Sequence, residues 1–307
     1  MNKVFPIDAV AQGLLRGLGW LNENLPNFSF ADCDRADPPF AKAYVARLKP
    51  ISELALTVWI LKRCGLQVPF LDSAAEWAWQ ECEQGRRLVA LLLARNDFLP
   101  CCALYAPLFQ LGYRCEALDI ALAMLSRSTM AAALPLQPWS KLAMRYNLWQ
   151  LGLSRCPGTA KDLYIQARPE PWVISGEVAY AITHEVFYLT DFGFRPLQDR
   201  DVRDYLKTWT PYWAKSFAAE GDDDLTAEFA MVSTCLDDSD AHDVAATLLL
   251  TVLSHQRADG SMTGPQGAGS FLFADDDSLS RREFLASYHT TLVALMAAAL
   301  AVRLRRS

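Results

Sequence analysis

A strongly apolar helical segment closed by a glycine recurs along the chain, and this recurrence constrains the fold more than any other feature. The segments LALTVWILKRCG, LYAPLFQLGYRC, YNLWQLGLSRC and HEVFYLTDFG carry Gly65, Gly112, Gly152 and Gly193, which lie 47, 40 and 41 residues apart. A glycine just past an apolar helix is a C-terminal stop, because it enters the left-handed region without a Cβ penalty. The series continues without the glycine in LTAEFAMVSTCL and YHTTLVALMAAALAV. Amphipathic segments lie between these, including Ala74 to Leu93 and Asp201 to Phe217, the latter expected to kink or break at Pro211. A two-helix unit repeated about every 40 residues signals a helical repeat fold, with the all-round apolar helices inside and the amphipathic ones outside. The last unit ends without a polar capping repeat, which favours closure into a ring. The expectation is an all-α protein forming a single domain over residues 1–307, a ring of about six helical hairpins.

The 307 residues are 52% hydrophobic, enough for a large core, and the formal net charge is -6. A mildly acidic chain whose only basic cluster is Arg303, Arg305 and Arg306 is not built to neutralise phosphates, so no nucleic-acid partner is expected. None of the eight cysteines forms a CxxC pair, and Asp8 and Gln12 interrupt any apolar leader. Scattered thiols without a secretory signal indicate a cytoplasmic protein with buried cysteines, the adjacent Cys101 and Cys102 included. The apolar stretch Leu292 to Val302 has 11 residues, short of the about 20 a membrane span needs, and reads as a buried final helix.

Two resemblances enter here. LLTVLSHQRADGSMTGP followed by YHTTLVALMAAALA resembles one repeat of the terpenoid cyclase and protein prenyltransferase superfamily, with Gln256, Asp259 and Gly260 matching its glutamine-and-glycine turn. That resemblance implies an α/α toroid. It also implies that His289, near the start of the last inner helix, matches a zinc-binding histidine. The preceding inner helix departs from the pattern: it opens with Asp222, Asp223 and Asp224, but Thr226 replaces the expected cysteine. Cys235 lies about 16 Å from Asp224 along a helix and is no substitute. The Asp-x-Asp-Asp acid of class II terpene cyclases is absent as well. Over nearly its full length the chain also resembles a poorly characterised bacterial family whose hallmark is Thr183 to Gly193 (THEVFYLTDFG), followed by a late Tyr-His-Thr-Thr. That family implies natural-product gene clusters and no established reaction.

In a closed ring of this kind the N-terminal ends of the inner helices point into a central cavity. The polar residues placed there are Glu53, Tyr105, Lys141 with Arg145, Thr183 with His184, Asp224 with Glu228, and Tyr288 with His289. His184, Tyr188 and Asp191 share one helical face at i, i+4 and i+7. A buried histidine held by a carboxylate explains His184 without any function, and Asp224 reads equally as an N-cap. Two of only four histidines at equivalent repeat positions favour function. His242 reads as exposed, and His255 suits a helix C-terminus.

Two mechanisms fit. In one, His184, His289 and Asp224 or Glu228 hold zinc or iron with an open coordination position. In the other, His184 and His289 work with Tyr188, Asp224 and Glu228 as metal-free acids and bases. Arg145, Tyr105, Tyr288 and Glu53 would then contact substrate, Arg145 and Lys141 holding an anionic group. Asp275 to Asp277 reads as a solvated loop, with magnesium binding as its alternative. No nucleophile elbow, phosphate loop or dinucleotide fingerprint is present. The leading expectation is a lyase- or cyclase-type enzyme acting on a small molecule. The alternatives are a non-catalytic partner subunit and a zinc-dependent prenyltransferase relative.

Overall fold

The computed structural model describes residues 7–30, 41–95, 98–129, 133–158, 161–236, 238–272 and 277–304. Cys33, Asp237, Asp275, Asp276, Arg305 and Arg306 lie outside the described residues. Among the described residues there are thirteen α-helices and no strand. The chain is all-α. It divides into two compact units, one comprising Leu25–Lys62 and Gln67–Pro157, the other Met1–Asn24, Arg63–Leu66 and Gly158–Ser307.

The first unit holds α2 (Ala41–Arg63, all but its last residue), α3 (Pro69–Glu81), α4 (Arg86–Arg95), α5 (Phe98–Gln110), α6 (Glu116–Ser126) and α7 (Pro138–Gln150). Helix α5 packs on α4, α6 and α7. Its apolar faces meet a core that includes Trp79, Leu88, Leu104 and Leu148. The single amphipathic helix expected over Ala74 to Leu93 is two helices. Glu83, Gln84 and Gly85 all take positive φ and stop α3. A Cβ on Gly85 would lie 2.6 Å from that of Cys115, so the turn also needs glycine for space. Cys101 and Cys102 are fully buried in this core, and burial holds the Cys102 thiol well above its usual pKa. Both behave as small apolar residues.

The second unit holds α1 (Ile7–Glu23), α8 (Tyr164–Ala167), α9 (Gly176–Thr190), α10 (Arg200–Ala219), α11 (Asp223–Thr234), α12 (Ser239–Ser254) and α13 (Leu279–Leu304). Helix α11 is its centre. It packs on α9, α10, α12 and α13, and every residue in it except Asp224 is buried. Helix α10 runs unbroken through Pro211, contrary to the expected break. Its buried residues Val202, Leu206, Thr210, Trp213, Ala214 and Phe217 keep helical spacing across the proline, so packing on α11 outweighs the one lost backbone hydrogen bond. Helix α13 begins well before Leu292 and has 26 residues, long and apolar enough by length and composition to cross a membrane. Yet 89% of its most apolar window is buried within the fold, as befits a core helix.

The glycine stops hold throughout: Gly65, Gly112, Gly152 and Gly193 all adopt positive φ. Gly260, in the turn between α12 and α13, is among the most demanding glycines. Its φ is +93°, and a Cβ there would lie 2.2 Å from the carbonyl oxygen of Arg16. The same turn is tied to α1 through Gln256, whose amide donates to the Gly13 and Gly260 carbonyls at 3.0 and 2.9 Å. The Gln256 side-chain Oε1 accepts from Arg16 Nη2 at 2.7 Å. Asp259 closes the turn by accepting from the Ser261 amide and hydroxyl. The residues matching the superfamily turn therefore do structural work. Gly260→Ala combines a disallowed φ with a backbone clash and is expected to cost more than about 2 kcal/mol in urea unfolding, whereas exposed Gly19→Ala, inside α1 with open space around it, should not destabilise.

Candidate functional site

The candidate site grows from the first two turns of α11. Asp222, not Asp224, is the N-cap: its carboxylate accepts from the Leu225 amide at 3.0 Å. Asp223 pairs with the His255 imidazole at 2.9 Å. With capping done by Asp222, Asp224 turns to α13, where its Oδ2 lies 3.4 Å from His289 Nε2. Glu228 follows at i+4 on the same helical face. One ligand atom from each of Asp224, Glu228 and His289 falls within a 4.8 Å cluster. Two carboxylates and one imidazole form a donor set suited to zinc, ferrous iron or another divalent ion. Thr226, at the position where the superfamily pattern expects a cysteine, donates its hydroxyl to its own helix at Asp222 O. It is fully buried and adds no ligand. Glu228, one turn on from Asp224, completes the cluster of three potential donors.

Glu228 is only 1% exposed, and α9 supports it. The Thr183 hydroxyl donates to Glu228 Oε2 in a short contact, and His184 Nδ1 lies 3.6 Å from the same oxygen. His184 Nδ1 also sits 2.9 Å from the carbonyl oxygen of Tyr180. A carbonyl only accepts, so Nδ1 carries the hydrogen, and Nε2 is the nitrogen with the basic lone pair in the neutral ring. The Tyr180 ring packs against the imidazole with centroids 3.9 Å apart, and Tyr188 meets it edge-on at 6.1 Å. Of the ligands expected, His289 comes together with both Asp224 and Glu228, and His184 is not in the cluster. His184 stands behind Glu228, with Nδ1 3.6 Å from its Oε2.

The rest of the hallmark has another task. Asp191 lies just past the helical run that carries His184 and Tyr188. It ends α9 in the left-handed conformation and, with Phe192 and Gly193, makes a turn of three successive positive-φ residues. Arg63 grips both Asp191 oxygens at 3.0 and 2.8 Å, and Arg303 donates to Gly193 O at 2.9 Å. The two guanidinium groups also lie against the Phe194 ring. Cys235 is buried beside this turn, where burial pushes its thiol up to about 11.

His184 and His289 lie well inside α9 and α13 and not at their starts, because both helices begin several residues earlier than the apolar runs suggested. Tyr288 is buried and stacks on Phe284 with centroids 5.5 Å apart, which makes it core. Glu53, Tyr105 and Arg145 belong to the other compact unit. Within it, Glu53 pairs with Lys49 one turn away. Tyr105 is fully buried, its hydroxyl donating to Asp119 and accepting from the Cys115 amide. The substrate contact expected of Tyr105 is therefore replaced by a core role. Arg145 and Lys141 face solvent. His242 is half-buried, not exposed.

Glu185 escaped the sequence reading. It is fully buried next to His184 and accepts from the amides of Tyr164 and Ile165 at 3.1 and 3.0 Å, so it caps α8 from within α9. Its only signal in the sequence is a carboxylate inside an apolar helix. Burial raises its pKa from 4.5 to about 7, against the two amide hydrogen bonds that lower it. The folded chain then holds a proton that the unfolded chain has released, so Glu185 stabilises the fold fully below pH 4.5 and the contribution is lost as pH rises to about 7. Urea unfolding of the wild type should lose up to about 3 kcal/mol across that window relative to Glu185→Gln, which should remove this component.

No curated protein and no solved structure matches the chain. A family model does match, over residues 14–299, and the chain belongs to that family, described as "Domain of unknown function (DUF6895)".

Proposed function

We propose that this protein is an enzyme acting on a small molecule, with Asp224, Glu228 and His289 holding a divalent metal ion and His184 moving a proton beside it. The observation that carries the proposal is the convergence of those three donors within 4.8 Å. Two carboxylates facing one another in a mostly buried site repel and lose hydration, and a divalent cation offsets both costs. The reaction class that fits is elimination or cyclisation, of the lyase or cyclase type. When bound, such an ion supplies Lewis acidity toward a carbonyl or leaving-group oxygen. His184 has its Nδ1–H fixed on the Tyr180 carbonyl, so Nε2 accepts a substrate proton as general base. Thr183 and His184 orient Glu228, and Tyr188 packs the imidazole in place.

The frame of this reading is the α/α toroid, supported by the glycine-stopped apolar helices recurring every 40 or so residues. Its setting is natural-product metabolism, supported by the resemblance of Thr183 to Gly193 to the hallmark of that bacterial family. The zinc-dependent prenyltransferase alternative is weakened by Thr226, which has no thiolate to offer.

Elemental mass spectrometry on untagged protein purified without chelators tests the proposal. Near one equivalent of zinc or iron is expected, falling to background in His289→Ala. Thr183→Val, which removes the hydroxyl shared by Glu228, the Tyr180 carbonyl and His184 Nδ1, should weaken metal affinity about tenfold or more. Wild-type protein that neither carries metal nor takes it up from added zinc or ferrous iron would overturn the proposal.

A further inference from the structure

A second feature of the larger unit is independent of the carboxylate–histidine cluster and shares no residue with it. A cavity of about 550 Å³ opens between α10 and the short turn Pro171–Val173 that precedes α9. That volume is in the range of small-molecule sites. Trp209, Tyr212, Ser216 and Glu220 form one stripe along α10, with Trp213 and Phe217 deeper, and Trp172 closes the opposite wall. The wall is fixed in place: Trp213 Nε1 donates to Pro171 O at 3.0 Å, and the Tyr205 hydroxyl donates to Pro169 O. Trp172 is nonetheless 81% exposed and Tyr212 63% exposed. Among the described aromatics these two are the most exposed, held open to solvent on a rigid frame.

The electrostatics of the cavity have one sign. Among the described residues, Glu220 is the only charged one lining it. It is the C-cap of α10, where the helix dipole is negative. The start of α9 also borders the cavity, but Ser175 caps it and Glu177 lies in its first turn, so that end is not left as an anion site. Indole and phenol faces carry negative quadrupole density and attract cations, most strongly when a carboxylate stands nearby. We propose that this cavity binds a small organic cation of the ammonium class, its charge against the Trp209 and Trp172 faces and Glu220. The aromatic walls are the part of the site that distinguishes an alkylated ammonium from a metal ion or a hydrated potassium ion.

Isothermal titration with choline and with its uncharged isostere 3,3-dimethyl-1-butanol tests this. Choline should bind saturably, and the neutral isostere should bind about tenfold more weakly. Glu220→Gln should weaken choline binding several-fold, and Trp209→Ala should abolish it. His289→Ala should leave it unchanged, which separates this proposal from the metal site. Equal binding of both probes would show an apolar groove without cation recognition and overturn the proposal. So would no binding of either probe, or loss of choline binding in His289→Ala. Should Trp209→Ala fail to fold, the probe pair and Glu220→Gln still decide.

Discussion

Helix α11 is buried along its whole length apart from Asp224, and four acidic residues, Asp222, Asp223, Asp224 and Glu228, belong to its first two turns and cap. Burying carboxylates is expensive unless each finds a partner. The structure meets that cost residue by residue. Asp222 caps the helix, Asp223 takes His255 from the end of α12, Asp224 takes His289 from α13, and Glu228 takes Thr183 and His184 from α9. Three neighbouring helices are thereby placed by the acids of one. Burial raises the pKa of both Asp222 and Asp223, with the Asp224 charge adding to it, so the cap and its neighbour already bear the cost of desolvation. The cation proposed between Asp224, Glu228 and His289 would offset the same desolvation cost at its centre.

The hallmark segment divides along its length into two kinds of work. Its first half, Thr183 and His184, faces α11 and supports Glu228. Its second half, Asp191 to Gly193, is a turn clamped by Arg63 and Arg303. The clamp holds the C-terminal end of α9 while the imidazole in its middle is aimed at the cluster. Glu185, on the other side of the same helix, holds α8. One helix thus carries three polar tasks in three directions, which the 100° step between successive residues allows.

Much of the fold was legible in the sequence because it rests on local chemistry. Glycine stops and helical periodicity locate the helices without knowledge of their neighbours. The break between α3 and α4 was hidden because two of its three positive-φ residues, Glu83 and Gln84, are not glycine. The continuity of α10 through Pro211 was hidden because tertiary packing on α11 outweighs a local breaker. At the site, His289 and Asp224 were found by their place in a repeat pattern. In sequence Glu228 is an alternative to Asp224; that the two converge together on His289 depends on tertiary packing of α11 against α13. Tyr105 and Asp191 look functional in sequence because buried polar residues and ligands use the same side chains. Only their partners, Asp119 and Arg63, separate the two.

Anomalous X-ray scattering from crystals grown with manganese or zinc tests the central claim most directly. The account predicts a single strong peak bounded by the Asp224 and Glu228 carboxylates and His289 Nε2, with His184 adjacent to Glu228 and outside the coordination shell. Crystals showing His289 bonded to Asp224 alone, with no anomalous density between the two carboxylates, would contradict it and leave α11 a structural hub without a metal centre.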